Sequence, residues 1–323
     1  MTLEETPQRR PIPRGIQPSV VLPFRENASV DWEAYRSQVA HALSDPRVSG
    51  LLINGHASDN ALTTDDEKDE IIRVTRAASP RDVFLTTGVY AESTARAARQ
   101  AQRLEAAGAD ALLVFQPNGW ALGCDPASIL EHHQAIHDAT TLPIMLYQAS
   151  VHAGSFAYPL DVLDKLVQLE RVLGVKEGSW EINVSEVVRR RIKSVRPDIA
   201  VYGSGDEHLI YNYLMGTDGS QASIAAVVPG LVCDLWDSAA AQDWTRAKEI
   251  HEVLQPLAAM IYGTQPGARV SGRLKSCLRT MGVLPNDRVR LPLVSIPAAE
   301  AEMLTGALEN IRRFVADHPP ETK

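Results

Sequence analysis

"VLGVKEGSW", residues Val172–Trp180, places a lysine directly behind a short apolar, β-branched run. Continuous rather than alternating hydrophobicity is the pattern of a parallel strand covered on both faces. Seven further stretches are read as strands: "PSVVLPF", "SGLLING", "DVFLTTGV", "DALLVFQP", "LPIMLYQ", "DIAVYGSG" and, small and polar for a strand, "GSQASIAA". Between them lie helical patterns such as "DWEAYRSQVAHAL", "TDDEKDEIIRVTRAA", "AESTARAARQAQRLEAAG", "PASILEHHQAIHDAT" and "PLDVLDKLVQLE". Strand starts fall roughly 20 to 33 residues apart, the size of one βα unit. Eight units in about 225 residues predict an α/β fold of the (β/α)8 TIM-barrel type. Beyond the eighth the strand signal stops, and the remaining patterns read only as helices. The expected organisation is a flexible arm over residues 1–15, a barrel over 16–231 and a C-terminal helical extension over 232–323.

Composition narrows the function classes. The 323 residues carry a formal charge of −8, which argues against a surface built to neutralise phosphates, so no nucleic-acid partner is expected. The run Arg189–Arg191 lies at helical spacing and reads as a solvated outer face. Cys124, Cys233 and Cys277 are far apart with no CxxC pair, which speaks against zinc and disulfide frameworks and for a reduced, cytoplasmic setting. "MTLEETPQRRPIPRG" is polar and proline-rich, neither secretory signal nor anchor. No apolar run approaches the roughly 20 residues that cross a bilayer.

A barrel puts chemistry at the C-terminal ends of its strands. Lys176 ends the sixth strand and Tyr147 the fifth, which would hold an ammonium and a phenol at one mouth. Desolvation by Val172, Leu173 and Val175 disfavours the charged lysine and makes its amine a usable nucleophile for a carbonyl. The other reading is a strand-end lysine paired with a carboxylate, Glu177 or Asp206, and position alone leaves both open. Tyr147 taken singly reads as ordinary strand-end packing and gains a chemical reading from Lys176 beside it.

These residues resemble the Schiff-base barrel enzymes that include dihydrodipicolinate synthase and N-acetylneuraminate lyase, over most of the chain. "GVKEGS" is similar to the family's strand-six motif, with Lys176 in the place of the imine-forming lysine, and "LPIMLYQ" to its strand-five motif, with Tyr147 as the proton-relaying tyrosine. "EAAGADALLVFQP", "YGSGDE" and "MGTDGSQAS" follow in family order, and from the last two Gly205 and Gln221 join the candidate substrate-binding residues. The resemblance also implies a homotetramer, a dimer of dimers.

The departures are informative. Where the family places a "GTTGE"-like loop that grips the carboxylate of a 2-oxo acid, this chain reads "NGHASDNALT". His56 and Ala57 stand for two hydroxyl residues, Ser58 for the glycine and Asp59 for the glutamate. Backbone N–H groups and Ser58 remain available to an anion, and His56 adds a hydrogen bond or charge. The arginine that dihydrodipicolinate synthases carry five residues after the tyrosine is His152 here, and the loop that supplies a second tyrosine reads "QPNGW". The expectation is a divergent pyruvate-type aldolase rather than a true dihydrodipicolinate synthase.

In the implied cycle Lys176 condenses with the ketone of a 2-oxo acid, and the protonated imine serves as an electron sink for carbon–carbon bond making or breaking or for loss of a β-hydroxyl. Tyr147 shuttles the protons. No metal or other cofactor is called for. Trp120, His152 and Trp180 are expected to line the mouth and favour a less polar aldehyde partner than aspartate semialdehyde. Two alternatives stay open: a dehydratase of a 2-keto-3-deoxy sugar acid through the same imine, and a non-catalytic descendant that binds an oxo acid.

Other signals are weaker. His133 and His137 at i, i+4 lack the glutamate of HExxH and read as an exposed helix stripe. "GSGDEH" has two glycines of a GxGxxG pattern, and Gly203 and Gly205 are expected to shape the seventh loop. Asp65, Asp66 and Glu67 are placed to open a helix.

Overall fold

A computed structural model of the chain describes residues 10–318. Its strands are β1 (Gly15–Ile16), β2 (Gly50–Ile53), β3 (Phe84–Val89), β4 (Ala111–Val114), β5 (Ile144–Gln148), β6 (Val172–Glu177), β7 (Ala200–Gly203) and β8 (Gly219–Ser220). The helices that alternate with them are α1 (Trp32–Ala42), α2 (Asp65–Ala78), α3 (Thr94–Ala107), α4 (Pro126–Ala139), α5 (Leu160–Leu166), α6 (Ile182–Val195), α7 (Leu209–Leu214) and α8 (Pro229–Ala240). The extension adds α9 (Trp244–Ala258), α10 (Val270–Thr280) and α11 (Ala298–Asp317).

All neighbouring strands pair in parallel, in the order β1-β8-β7-β6-β5-β4-β3-β2. Parallel bridges from Ile16 to Val48 and from Ser19 to Leu52 close the circle. The molecule is therefore the expected (β/α)8 barrel with a C-terminal helical extension. Outward-facing strand residues such as Leu51, Leu85, Leu112, Leu146 and Val201 meet the helices in one core, while Leu52, Phe84, Leu113, Met145 and Tyr202 fill the barrel interior.

Local chemistry explains the helix starts. Thr64 and Glu67 form a reciprocal capping box at α2, with Glu67 N–H donating to Thr64 Oγ1 at 3.1 Å and Thr64 N–H to Glu67 Oε2 at 2.9 Å. Asp31 and Ser93 cap α1 and α3 in the same side-chain-to-backbone manner, and Pro126 and Pro229 open α4 and α8.

Several expectations shift. The first strand lies at Gly15–Ile16, ahead of "PSVVLPF". Residues 1–9 of the expected arm lie outside the described residues, whereas Ile12 is buried in the barrel interior and Pro13 accepts a hydrogen bond from Tyr202. Helix α8 follows β8 as the barrel's eighth helix, and residue 232, the expected start of the extension, falls within it. His132, His133 and His137 are buried, not an exposed stripe: His133 bonds the Ile129 carbonyl at 2.8 Å and the Tyr158 hydroxyl at 2.9 Å. Helices α3 and α5 flank α4, and its Ile129 and Ile136 join the core outside the barrel, which covers that face. The arginine run of α6 is a salt-bridged outer face, with Arg189 and Arg190 on Glu186 and Arg191 on Asp164. Among the described residues no helix is long and apolar enough to cross a membrane.

Candidate active site

The mouth of the barrel is shaped by an irregularity in β6. Pairing with β5 runs from Ile144 to Val172 and then from Met145 to Gly174, so Leu173 is an extra residue. Val172 and Val175 belong to the outer core, while Leu173 adjoins the interior cluster and a Cβ on Gly174 would meet Ile12 and Met145. Strict alternation from Val172 would turn Lys176 outward. The inserted residue reverses the phase and brings Lys176 to the inside, as bulges commonly re-aim a side chain. Tyr147 is its direct partner across the pair, and the ammonium lies 5.8 Å from the phenol ring centre.

Both groups open on a cavity of about 420 Å³. Burial pushes the Lys176 pKa down, opposed by the charge of Asp206, whose own carboxyl is pushed up by burial. Burial and the Glu177 charge push the Tyr147 phenol up, so it rests protonated. The His56 ring lies against Phe115 at 4.2 Å between centres and edge-on to Tyr147 at 5.2 Å. It is exposed through the cavity mouth, and the surrounding protein with the Lys176 charge pushes its pKa down, leaving a neutral imidazole.

His56, Ala57, Asp59, Tyr147, Lys176, Gly205 and Gln221, all expected from the sequence, line this one cavity. Gly205 sits at φ +89°, and a Cβ there would lie 2.5 Å from His208 Nε2, so the loop after β7 requires glycine. Gln221 donates to Gln17 at 2.9 Å within the barrel interior, while its Oε1 is buried without a protein partner. Asp59 is engaged elsewhere: its Oδ2 accepts from Lys275 at 2.8 Å and from Ser271 at 2.9 Å, tying the loop after β2 to α10.

Three expected residues are not in the cavity wall. The Ser58 hydroxyl donates to the Val20 carbonyl at 2.6 Å. His152 is exposed and pairs with Glu181 at 2.7 Å, and Trp120 packs edge-on against His132 at 5.2 Å in the outer layer. Conversely, the wall includes Asp206, Ser223 and Tyr262. Asp206 was visible only as a potential partner of Lys176. Ser223 lay in a stretch read as a strand, and Tyr262 in one read as a plain helix. No local pattern distinguishes the two from packing residues. Among the described residues no group of three or more histidine, cysteine or acidic side chains could hold a metal ion.

A partly desolvated lysine and a protonated tyrosine on adjacent strands of a (β/α)8 barrel, facing one pocket, define the site of a lysine Schiff-base, or class I, lyase. A model of the dihydrodipicolinate synthetase family matches residues 12–311. The chain belongs to that family. It is 28% identical over 296 residues to the 4-hydroxy-tetrahydrodipicolinate synthase of Thermotoga neapolitana, covering 91% of this chain and 97% of that one. The enzyme of the same name from Acidothermus cellulolyticus is 30% identical over 312 residues, 93% of each chain. In three dimensions the dihydrodipicolinate synthase of Thermotoga maritima superposes with a TM-score of 0.83 at 23% identity, over 92% of this chain and 98% of that one. That of Acinetobacter baumannii, solved in complex with pyruvate, gives 0.82 at 21% identity, over 92% and 98%.

Proposed function

We propose that Lys176 forms the imine with a 2-oxo acid of the pyruvate type and that the protein makes or breaks a carbon–carbon bond next to it. The observation that carries this reading is the inward turn of Lys176 beside Tyr147 in a desolvating pocket. The amine attacks the ketone carbon, and Tyr147 gives a proton to the departing hydroxyl as water leaves. Loss of a proton from the neighbouring carbon yields an enamine. Its electron pair bonds to the carbonyl carbon of an aldehyde, and hydrolysis of the imine frees the product and the lysine.

In the turn after β2 the N–H groups of Ser58 and Asn60 are spent on Gly55 and that of Asp59 on His56. This leaves the N–H groups of His56 and Ala57, in the cavity wall, to receive the carboxylate, with His56 as a neutral hydrogen-bonding neighbour. The curated relatives are named for 4-hydroxy-tetrahydrodipicolinate synthesis. Replacement of the family's arginine by His152, itself bound to Glu181, supports a different second substrate here. The same imine would serve loss of a β-hydroxyl from a sugar acid, but apolar residues such as Leu62, Val270 and Leu293 in the wall favour the aldol reading. The family resemblance supports a homotetramer, and the free thiols of Cys124, Cys233 and Cys277 suit a reducing cytoplasmic setting. Light scattering that gave a monomer would count against the tetramer.

Intact-protein mass after incubation with pyruvate and borohydride tests the core of the reading. The native chain should gain the mass of one reduced pyruvate imine and Lys176→Ala should gain none. An adduct that survives in the variant, or none in the native protein with any 2-oxo acid, would rule the assignment out.

A further inference from the structure

Aldol addition creates an alkoxide on the second substrate, and with Tyr147 engaged at the imine carbon its proton can come from a second donor. We propose that Tyr262, backed by Ser223, supplies that proton, and that the second substrate is an uncharged aldehyde with an apolar chain. The assignment rests on the Schiff-base reading and adds to it a residue from outside the barrel.

Tyr262 belongs to the C-terminal extension. It sits on a π-helical turn, Ala259–Gly263, that follows α9 directly. A π turn carries an extra residue and so shifts the phase of the side chains after it, and such turns recur at functional sites. Here the outcome is a tyrosine in the wall of the cavity that also holds Lys176 and Tyr147. Its ring stands edge-on to Trp180 at 5.3 Å between centres, and its hydroxyl is hydrogen-bonded to that of Ser223, another wall residue. Two hydroxyls share one hydrogen bond, so one O–H is left over. With Ser223 donating to the phenol oxygen, the phenol proton is the one available to a ligand. Burial and then the Asp206 charge hold the phenol well above its ordinary range, which suits a donor and not a resting base.

Charge in the cavity points to the substrate class. Among the described wall residues Lys176 is the one lysine or arginine, and it becomes the imine. His56 is neutral, and Asp59 is satisfied by Lys275. A carboxylate on the second substrate would be desolvated with no cation to meet it. Leu62, Val270 and Leu293, from three separate segments, join Trp180 in offering apolar surface instead.

The step balances without a cofactor. The enamine pair forms the new bond to the aldehyde carbon while the C=O π pair moves onto oxygen. That oxygen takes the Tyr262 proton, the Ser223 hydroxyl donates to the phenolate, and water restores the proton to Ser223. Cleavage runs the same path in reverse.

The test compares the native protein with Tyr262→Phe and Ser223→Ala in three assays: borohydride trapping of pyruvate, deuterium exchange into the pyruvate methyl group, and pyruvate consumption with benzaldehyde, butyraldehyde or glyoxylate. Tyr262→Phe should still trap and exchange, showing an intact fold and enamine, while aldehyde-dependent consumption falls by about 10²- to 10⁴-fold, the range for loss of a positioned general acid. Ser223→Ala should fall in the same assay alone, and by less. Both uncharged aldehydes should be consumed faster than glyoxylate. A Tyr262→Phe protein that consumes aldehyde at the native rate, a preference for glyoxylate, or no aldehyde consumption by an enzyme that does form the imine would each overturn the proposal. A native protein that traps no 2-oxo acid gives a different result, and it removes the Schiff-base reading itself.

Discussion

At Lys176 two effects oppose each other, and their balance sets the pH behaviour. Burial favours the neutral amine and the Asp206 carboxylate favours the ammonium, with burial the larger. The amine is therefore free at a lower pH than the roughly 10.4 of an ordinary lysine. Imine trapping should rise with pH and reach its plateau below that value. Asp206→Asn removes the opposing charge, so its profile should move to still lower pH; a shift upward would show that Asp206 does not act on the amine. Tyr147→Phe keeps the ring against His56 and Phe115 but loses the proton, and turnover should drop by about 10²- to 10⁴-fold. At this scale the sequence was most legible for Lys176, Tyr147 and His56, whose residue types themselves announce chemistry. It was least legible for Tyr262 and Ser223, whose roles arise from a contact across 39 positions.

Single elements show why pattern reading succeeds in some places and fails in others. Strands β2 to β7 are covered on both faces, so their hydrophobic runs were visible. Strand β8 is different, because the Gly15 backbone lies where a Cβ on Gly219 would go. Closure of the barrel at β1 and β8 needs close backbone approach, which removes the bulky residues that would mark a strand. Gly219→Ala should collide with the Gly15 carbonyl and lower the melting temperature sharply, whereas Gly216→Ala, with open space around it but a φ of +79°, should cost only the mild strain of that backbone. The loop after β2 depends on a buried ion pair: Lys275 has a side-chain exposure of 0% and Asp59 of 3%. Breaking it one-sidedly with Lys275→Met should cost about 3–5 kcal/mol in urea unfolding, and a second change, Asp59→Leu, should recover much of the loss.

Across the whole molecule the extension completes the cavity wall as well as the core. Leu254, Leu257, Leu274 and Leu308 pack in one cluster with Leu231, Val232 and Leu235 of α8, and Tyr262, Val270 and Leu293 close the cavity. A chain ending at Ala241 would expose that apolar face, and it should be insoluble on expression. Recovery of a folded, imine-forming barrel from such a truncation would contradict this account. Residue 232 lies inside α8, which packs on both the barrel and the later helices, and helical periodicity carries no information about which neighbour a face meets.

Sequence alone determined the barrel and placed Lys176 and Tyr147 at the ends of neighbouring strands, because covered parallel strands leave continuous apolar runs and these two residues end two of them. Tertiary structure decided which way those side chains point and what surrounds them. The extra residue at Leu173 turns Lys176 inward, Asp59 is drawn off to Lys275, His152 is held outside by Glu181, and a π turn in the extension adds Tyr262. Each of these depends on contacts between residues far apart in the chain or on a one-residue change of phase. Hydrophobic period records how often a face recurs, and it does not record what that face meets.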